Sequence, residues 1–484
     1  MKIFRSKYFF LFILFFTVLL FRMYFVTENF NNSEAYFHLR HINYILEEKS
    51  ILYFDELSFG GKYVLYPHFF HIFMALFSLG NMFLLKFIPE FFLAGSVFLF
   101  YLIAKELSKN NKIVLFSCLI YSFTPLFLVL TTNVLSVYSL IVPLFLLAIY
   151  CFLKINERRV YLYGFMISVF LLGLTHISSF LLVGTSLLFT LMCISEDLIL
   201  TKLKKEALFF CILIISFLLF ITYHKVFFVQ GLGLLFQNLD TVNFSIIADN
   251  NLVNLILLAG LLPIVLSLFA FYNCFFKKKS ELVFLLSSLL LGILFLFVLG
   301  FMNIKDSLIY LTISFCLLSC YGLDFLLKYT EKFRWNKTKY FLVFLVILAF
   351  FMFSFYPSLY ALDGVKPISS EKINDFLWLK RHSDSNDVVL SLENDGFIIT
   401  AIANRRNVID NDYLLAPNLN ERKEDIKLLY KGWYLGNIKG LIEKYNIKWI
   451  YLPDELRVYG IEDLIYARNS DCFIQRGNFY EVVC

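Results

Sequence analysis

Between residues 27 and 71 the chain gathers most of the side chains that could do chemistry. The stretch carries Glu28, Glu34, Asp55 and Glu56, together with His38, His41, His68 and His71. Carboxylate oxygens at a membrane surface suit a hard divalent cation such as Mg²⁺ or Mn²⁺. Such a cation would neutralise charge on a departing lipid diphosphate. The same residues also fit a plainer pattern, an interfacial amphipathic helix whose acidic and imidazole face is solvated. Further along, GLTHISSF sets His176 and Ser178 between two apolar runs. A histidine at membrane depth is costly unless it meets a cavity or a partner. His176 therefore reads either as part of a polar cavity or as a structural ring bonded to a helix carbonyl.

The elements that must position these residues are mostly membrane helices. Of the 484 residues, 60% are hydrophobic and 17% charged, and 60 are Phe. A soluble chain keeps about 25% charged residues. The net charge of +6 does not point to nucleic acid, because Lys and Arg sit in short runs between apolar segments. That is the pattern of cytoplasmic loops. Candidate spans lie at roughly 8–26, 84–104, 113–130, 137–153, 160–174, 176–194, 206–223, 252–274, 281–299, 307–327 and 340–356. If the apolar stretch 67–81 does not cross, every basic cluster falls on one side. These clusters are Lys2/Arg5/Lys7, Lys105/Lys109/Lys112, Lys154/Arg158/Arg159, Lys202/Lys204/Lys205, Lys277/Lys278/Lys279 and Lys328/Lys332/Arg334/Lys337/Lys339. The positive-inside rule then gives about eleven transmembrane helices, with 67–81 in the outer interface. The N-terminus is expected in the cytoplasm and the C-terminus outside. The first apolar run, up to Phe25, is too long for a cleaved signal and reads as a retained helix.

Three outer segments follow from this topology: 27–66, 224–251 and the tail 357–484. The expected division is a transmembrane domain over 1–356, with an outer loop and juxtamembrane helices over 27–82, and a soluble extracytoplasmic domain over 357–484. The tail has ordinary charge, and β-branched runs (VVLSL at 388, WIYL at 449) alternate with helical patterns such as ERKEDIKLLY. That alternation is an α/β signature. FIQRGNFYEVV reads as a hairpin turning at Arg476-Gly477-Asn478. Its register sets Cys472 opposite a residue two short of Cys484, which argues against a bridge. The other seven cysteines lie in apolar segments, and no metal-type Cys spacing occurs.

EAYFHLR, from Glu34 to Arg40, resembles the first-loop motif of the catalytic subunit of oligosaccharyltransferases, which are GT-C membrane glycosyltransferases. The family's acidic residue, Tyr, His and Arg correspond here to Glu34, Tyr36 or Phe37, His38 and Arg40. Its Phe-Asp step is similar to YFDELSF with Asp55, and its Tyr-Pro step to Tyr66-Pro67, which opens a juxtamembrane helix. The resemblance implies that Glu34 is the catalytic carboxylate, that Glu34 and His38 hold a divalent cation, Mg or Mn, and that Arg40 binds donor phosphate. A second stretch, 387–412, resembles the opening of the family's outer domain through Gly396, Arg405, Asp410 and Asn411. The family's acceptor motif, Trp-Trp-Asp-Tyr-Gly, is replaced by Leu392-Glu393-Asn394-Asp395-Gly396. Glu393, Asn394 and Asp395 then form the acceptor side, or else a solvated turn ahead of a helix at Phe397. A third stretch, 303–327, resembles a helix whose Arg contacts the lipid pyrophosphate, and Lys305 stands in for that Arg.

The second outer loop departs from the family. TTNVLSVY (131–138) contains no acid, and Asn133 is its nearest polar group. Together the resemblances imply an enzyme that takes a sugar or oligosaccharide from a polyprenyl-phosphate or -diphosphate donor. It would pass that sugar to an unidentified acceptor (a glycan, a lipid or a protein) on the outer face of the cell membrane. Two alternatives stand beside this one, a non-catalytic GT-C relative and a multi-pass transporter. Against the transporter, no inverted repeat is visible, and the spans hold almost no charge apart from Arg22 and His176.

Overall fold

A computed structural model of the chain describes residues 7–231, 257–276, 281–330, 336–453, 455–456, 462–468 and 471–484. The 224–251 loop beyond residue 231, the Lys277–Lys279 cluster and Lys332/Arg334 lie outside the described residues. The chain divides into two compact units. One comprises Met1–Val26, Pro67–Phe70 and Met82–Val365, and the other Thr27–Tyr66, His71–Asn81 and Lys366–Cys484.

The first unit is helical. Among the described residues six helices are long and apolar enough to cross a membrane: Met82–Leu107, Ile177–Ser195, Lys202–Val229, Glu281–Val298, Ile304–Tyr329 and Tyr340–Asp363. A seventh candidate is the pair Asn111–Ser122 and Pro125–Thr131, bent by 47°. The bend has a local cause. Pro125 opens the second helix, and Thr124 before it is extended, the conformation a following proline imposes. Four more of the eleven expected spans fall on shorter apolar helices: Tyr8–Tyr24, Tyr138–Lys154, Arg159–Thr175 and Leu261–Tyr272. At about 1.5 Å per residue the first three reach about 25 Å and the last about 18 Å, short of a hydrocarbon core of about 30 Å. Length and composition therefore carry six or seven spans, not the full eleven. The Phe69–Ser78 helix has 10 residues, which is about half the required length.

Many buried hydroxyls inside this unit are satisfied locally. Buried Ser and Thr hydroxyls turn back onto carbonyls of the preceding turn, as Ser122 does on Cys118 and Thr131 on Phe127. That is how a helix interior accommodates hydroxyls away from water. The Leu261–Phe276 and Ile304–Thr330 helices approach closely at Gly322. A Cβ there would lie 2.1 Å from the carbonyl oxygen of Leu266. A small residue at such a crossing lets two backbones meet.

The second unit is α/β. A two-stranded antiparallel ribbon, β1 (Phe54–Asp55) and β2 (Lys62–Tyr63), comes from the first loop. The tail builds a five-stranded sheet from β3 (Val388–Leu390), β4 (Arg406–Asn407), β5 (Ile447–Tyr451), β6 (Phe473–Arg476) and β7 (Phe479–Val482), in the order β4-β3-β5-β7-β6. The strand β3 pairs in parallel with β4 and β5, while β7 is antiparallel to β5 and β6. Helices Leu419–Lys431 and Leu435–Tyr445 supply Ile426, Leu429, Ile438 and Ile442 to the core. Phe59, from the first loop, is buried in that same cluster. The two segments are therefore one folded body, although Met82–Val365 of the first unit lies between them in sequence.

The expected hairpin turns at Gly477-Asn478, with Gly477 at φ +62°, as a two-residue hairpin loop requires. The expected absence of a bridge is overturned. Phe473 pairs with Val482, so Cys472 lies across from Val483. That is one residue nearer the chain end than the sequence register gave. Cys472 and Cys484 then come within 4.9 Å, Cα to Cα, and form a disulfide.

Gly322→Ala should lower stability by about 1–3 kcal/mol, because a backbone carbonyl cannot move aside as a flexible side chain can. Gly95→Ala, in the Met82–Leu107 helix, meets nothing nearer than 4.0 Å and should be tolerated. Thermal unfolding of the detergent-solubilised protein compares the two. Equal midpoints would mean that Gly322 does not set the helix approach.

Candidate functional site

In the second unit, Glu34 opens the Glu34–Glu48 helix. The side chain of Asn32 accepts a bond from the Ala35 amide and so caps the first turn. A carboxylate in this turn faces the positive end of the helix dipole. The helix lies against Glu393–Ile398 and its continuation Ile399–Ala403, with the Phe37 and Phe397 rings 5.2 Å apart. Two stretches that the sequence singled out separately are thus in contact. Tyr36 turns inward against Phe30, and burial pushes its hydroxyl up to about 12.

His38, His41 and His71 are all buried and form an imidazole stack. His38 Nδ1 is 2.8 Å from His71 Nε2, and His41 stacks on His71 at 4.8 Å. Tyr66 and Phe37 close the cluster. Burial lowers the pKa of His41, which keeps the ring neutral. This bears on the expected cation. Glu34 and His38 sit four residues apart on one helix, but His38 is engaged with His71. Among the described residues no group of three or more His, Cys, Asp or Glu could hold a metal ion.

Arg40 and Asp55 do come together. The guanidinium Nε and Nη2 donate to the two Asp55 oxygens at 3.3 and 3.1 Å, and Nη1 donates to Asn404 at 3.2 Å. Asp410 lies close by, accepting from the Ser58 hydroxyl at 2.6 Å and the Asn407 amide at 3.0 Å. Lys62, which the sequence reading passed over, pairs with Asp412 at 2.7 Å and with Asp410 at 3.9 Å. Burial raises the Asp410 pKa, and the Lys62 charge opposes that rise. Phe37, Arg40, His41, Lys62, Thr400 and Asp412 are among the residues that surround a small polar cavity here.

The three residues expected on the acceptor side lie at the start of a helix in the second unit. Glu393 begins the helix itself, so the segment is not a turn ahead of Phe397. The Tyr413 hydroxyl donates to Glu393, and Lys423 is 3.6 Å away. Asn394 accepts from Asn411, and Asp395 pairs with Lys372 at 2.8 Å. Burial raises the pKa of Asp395 despite that ammonium. A Cβ on Gly396 would lie 2.3 Å from the Ile409 carbonyl oxygen and 2.5 Å from Asp410 Cβ. Only glycine fits there. Arg405 caps the Ser370–His382 helix, donating to the Lys380 and Ser383 carbonyls and the Ser383 hydroxyl. That is a structural use.

The first unit holds two polar clusters. In one, Arg22 Nε donates to Glu90 at 2.6 Å, and Arg22 Nη2 donates to the carbonyl and the hydroxyl of Thr131 at 3.0 Å. The other Glu90 oxygen accepts from the Asn133 amide at 2.7 Å. The ion pair is almost sealed, with both side chains at 1% exposure. Glu90 lies inside an expected span, where the sequence reading counted no acid, and the apolar run around it hid the signal. In the other cluster the Tyr138 hydroxyl donates to Asp306 at 2.7 Å, and His176 Nδ1 lies 3.9 Å from the same oxygen. His176 Nδ1 also accepts from the Ser178 amide, and the Ser178 hydroxyl meets Tyr310 at 3.0 Å. His176 thus sits in a side-chain network rather than bonded to a helix carbonyl alone. Lys305 is exposed beside Asp306 at the start of the Ile304–Thr330 helix.

Arg22→Met or Glu90→Leu alone should cost about 3–5 kcal/mol, since each leaves a buried charge unpaired. The double variant should recover most of that loss. Thermal midpoints of the three proteins decide it, and additive losses would mean that the pair is not coupled.

No protein-family profile matches the chain, and no curated protein does. Solved structures do match. Archaeal oligosaccharyltransferase AglB from Archaeoglobus fulgidus, in complex with an inhibitory peptide and a dolichol-phosphate, aligns with TM-score 0.66 at 12% identity, over 92% of this chain and 69% of that one. The Archaeoglobus fulgidus oligosaccharyltransferase in complex with Zn and sulfate aligns with TM-score 0.65 at 12% identity, over 90% and 67%. ArnT from Cupriavidus metallidurans, bound to undecaprenyl phosphate, aligns with TM-score 0.54 at 8% identity, over 98% and 97%. At these identities the likeness is one of fold. The chain has the fold of the GT-C membrane glycosyltransferases that its first-loop motif resembles.

Proposed function

We propose that the protein is a GT-C glycosyltransferase of the cell membrane. It takes a sugar or oligosaccharide from a polyprenyl-phosphate or -diphosphate donor and transfers it on the outer face. The observation that carries this reading is the contact between the Glu34 helix and the Glu393–Ala403 segment within one GT-C-like chain. Glu34 is the carboxylate we assign to catalysis, as the base that takes the acceptor proton. Lys305 is the candidate cation for the lipid phosphate. Arg40 is committed to Asp55 and Asn404, so its contribution is to hold the first loop against the tail. Neighbours that bind dolichol-phosphate and undecaprenyl phosphate support a lipid phosphate as donor carrier. The tail disulfide suits an oxidising, extracytoplasmic compartment, in keeping with the charge pattern of the loops. A second reading, a non-catalytic relative, draws on the committed states of His38 and Arg40.

Purified protein supplied with polyprenyl-linked sugar pools, with products followed by mass spectrometry, separates the two. Glu34→Gln should abolish transfer and keep the fold, whereas Glu34→Asp should retain measurable activity. Full activity of the Gln variant would remove Glu34 from catalysis. Peptides carrying Asn-x-Ser/Thr should not act as acceptors, because no aromatic cup stands at Leu392–Gly396 to hold a hydroxyl-bearing side chain. A lipid-linked sugar or another glycan is the expected acceptor. Efficient glycosylation that depends on the third-position hydroxyl would overturn that choice.

A further inference from the structure

In the second unit, helices Leu419–Lys431 and Leu435–Tyr445 are joined by Gly432-Trp433-Tyr434. The connection is short and firmly held. The Gly432 amide donates to the Leu428 carbonyl at 2.7 Å. A Cβ on Gly432 would lie 2.7 Å from that oxygen and 2.5 Å from Ile438 Cδ1. Leu435 packs against the apolar core in which Ile438 is buried. Between these anchors two aromatic residues turn outward. Trp433 is 70% exposed and Tyr434 76%, and Leu428, in the last turn of the first helix, is 56% exposed. The start of the second helix is open as well, since a Cβ on Gly436 would meet nothing within 4 Å.

The charges around this tip are unbalanced. Lys431 and Lys439 are exposed on either side of it. The carboxylates of the first helix are committed elsewhere. Glu424 pairs with Lys427 at 2.7 Å, and Glu421 and Asp425 pair with Lys444 at 2.5 and 2.6 Å. Glu443 belongs to the far end of the second helix. Among the described residues no ion pair engages Lys431 or Lys439. The tip therefore combines an indole, a phenol and an aliphatic side chain with two uncompensated ammonium groups.

We propose that the Trp433–Tyr434 tip, with Leu428, Lys431 and Lys439, docks on a bilayer surface that contains anionic lipid. Indole and phenol rings favour the headgroup level, where one edge is apolar and the other wet. Leu428 adds apolar area, and each lysine near the surface is attracted by anionic headgroups. The occupant also follows from connectivity. The chain passes between this unit and the membrane helices at Val26–Thr27 and at Val365–Lys366. A lipid surface is thus tethered to the tip at high effective concentration, whereas a protein partner would have to be recruited.

Full-length protein in nanodiscs tests this through tryptophan emission. The chain has four Trp residues, and subtracting the emission of Trp433→Phe from that of the wild type isolates Trp433. In discs of phosphatidylglycerol brominated on its acyl chains, the Trp433 component should be quenched relative to unbrominated discs. The quenching should be lost in the Lys431→Glu/Lys439→Glu variant and weakened by high salt, which screens exposed charges. Tyr434→Ala, which keeps Trp433 and both lysines, should reduce it. All four altered side chains are exposed, so the variants keep the fold. A Trp433 component that brominated phosphatidylglycerol leaves unquenched would overturn the proposal. Quenching that is equal in brominated phosphatidylcholine and survives the double charge reversal would overturn the part assigned to anionic lipid. A component that lipid leaves unchanged but added oligosaccharide shifts would make the tip a glycan platform instead. One that is buried in detergent only as protein concentration rises would make it a contact between copies of the chain. Either result would overturn lipid docking.

Discussion

A charge taken out of water must be met by a partner, and the Arg22–Glu90 pair is where the membrane unit obeys that constraint most strictly. Desolvating two such ions costs several kcal/mol each. The structure offsets this with a contact of 2.6 Å and three further hydrogen bonds, two to Thr131 and one from Asn133. The consequence extends beyond the pair. Thr131 ends the Pro125–Thr131 helix, and Asn133 follows it in the loop with a left-handed φ of +54°. The loop therefore has its path set from below by an ion pair rather than by its own acids. At its far end Tyr138 is tied to Asp306. Both ends of the acid-free loop are thus held by carboxylates borne on membrane helices.

The second unit solves the same problem with a different device. The first loop enters the tail by inserting Phe59 into its apolar core, while the Phe59 amide donates to Asn407 and the Ser58 hydroxyl to Asp410. Lys62 and Arg40 neutralise the carboxylates that this union buries. Asp410 therefore joins the loop to the tail, and Gly396, against which no side chain fits, lets the next segment approach it. Of the matched positions in the 387–412 stretch, Asp410 is bonded to the first loop. Arg405 is occupied with a helix end, and Asp410 with the loop. Glu34 opens the helix that the union orients.

Composition and periodicity determined a good deal. Long apolar runs have no stable alternative to helix in lipid, because every backbone group must be satisfied within the segment. The helical regions are therefore legible from the sequence, and so are the strands at Val388 and Ile447 and the turn at Gly477. The resemblance at Glu34–Arg40 by itself implies the GT-C fold. Tertiary structure decided what depends on partners distant in sequence. Glu90 and Asp306 are single acids in apolar surroundings, and no local pattern reveals that Arg22 or Tyr138 waits for them. Nor does spacing show that His38 faces His71, that Arg40 is spent on Asp55, or that a one-residue shift brings Cys472 to Cys484. Local sequence fixes the conformation of a segment through its own backbone and side chains. The fate of a charge or a thiol depends on which remote group the fold brings within a few ångströms, and only the folded chain states that.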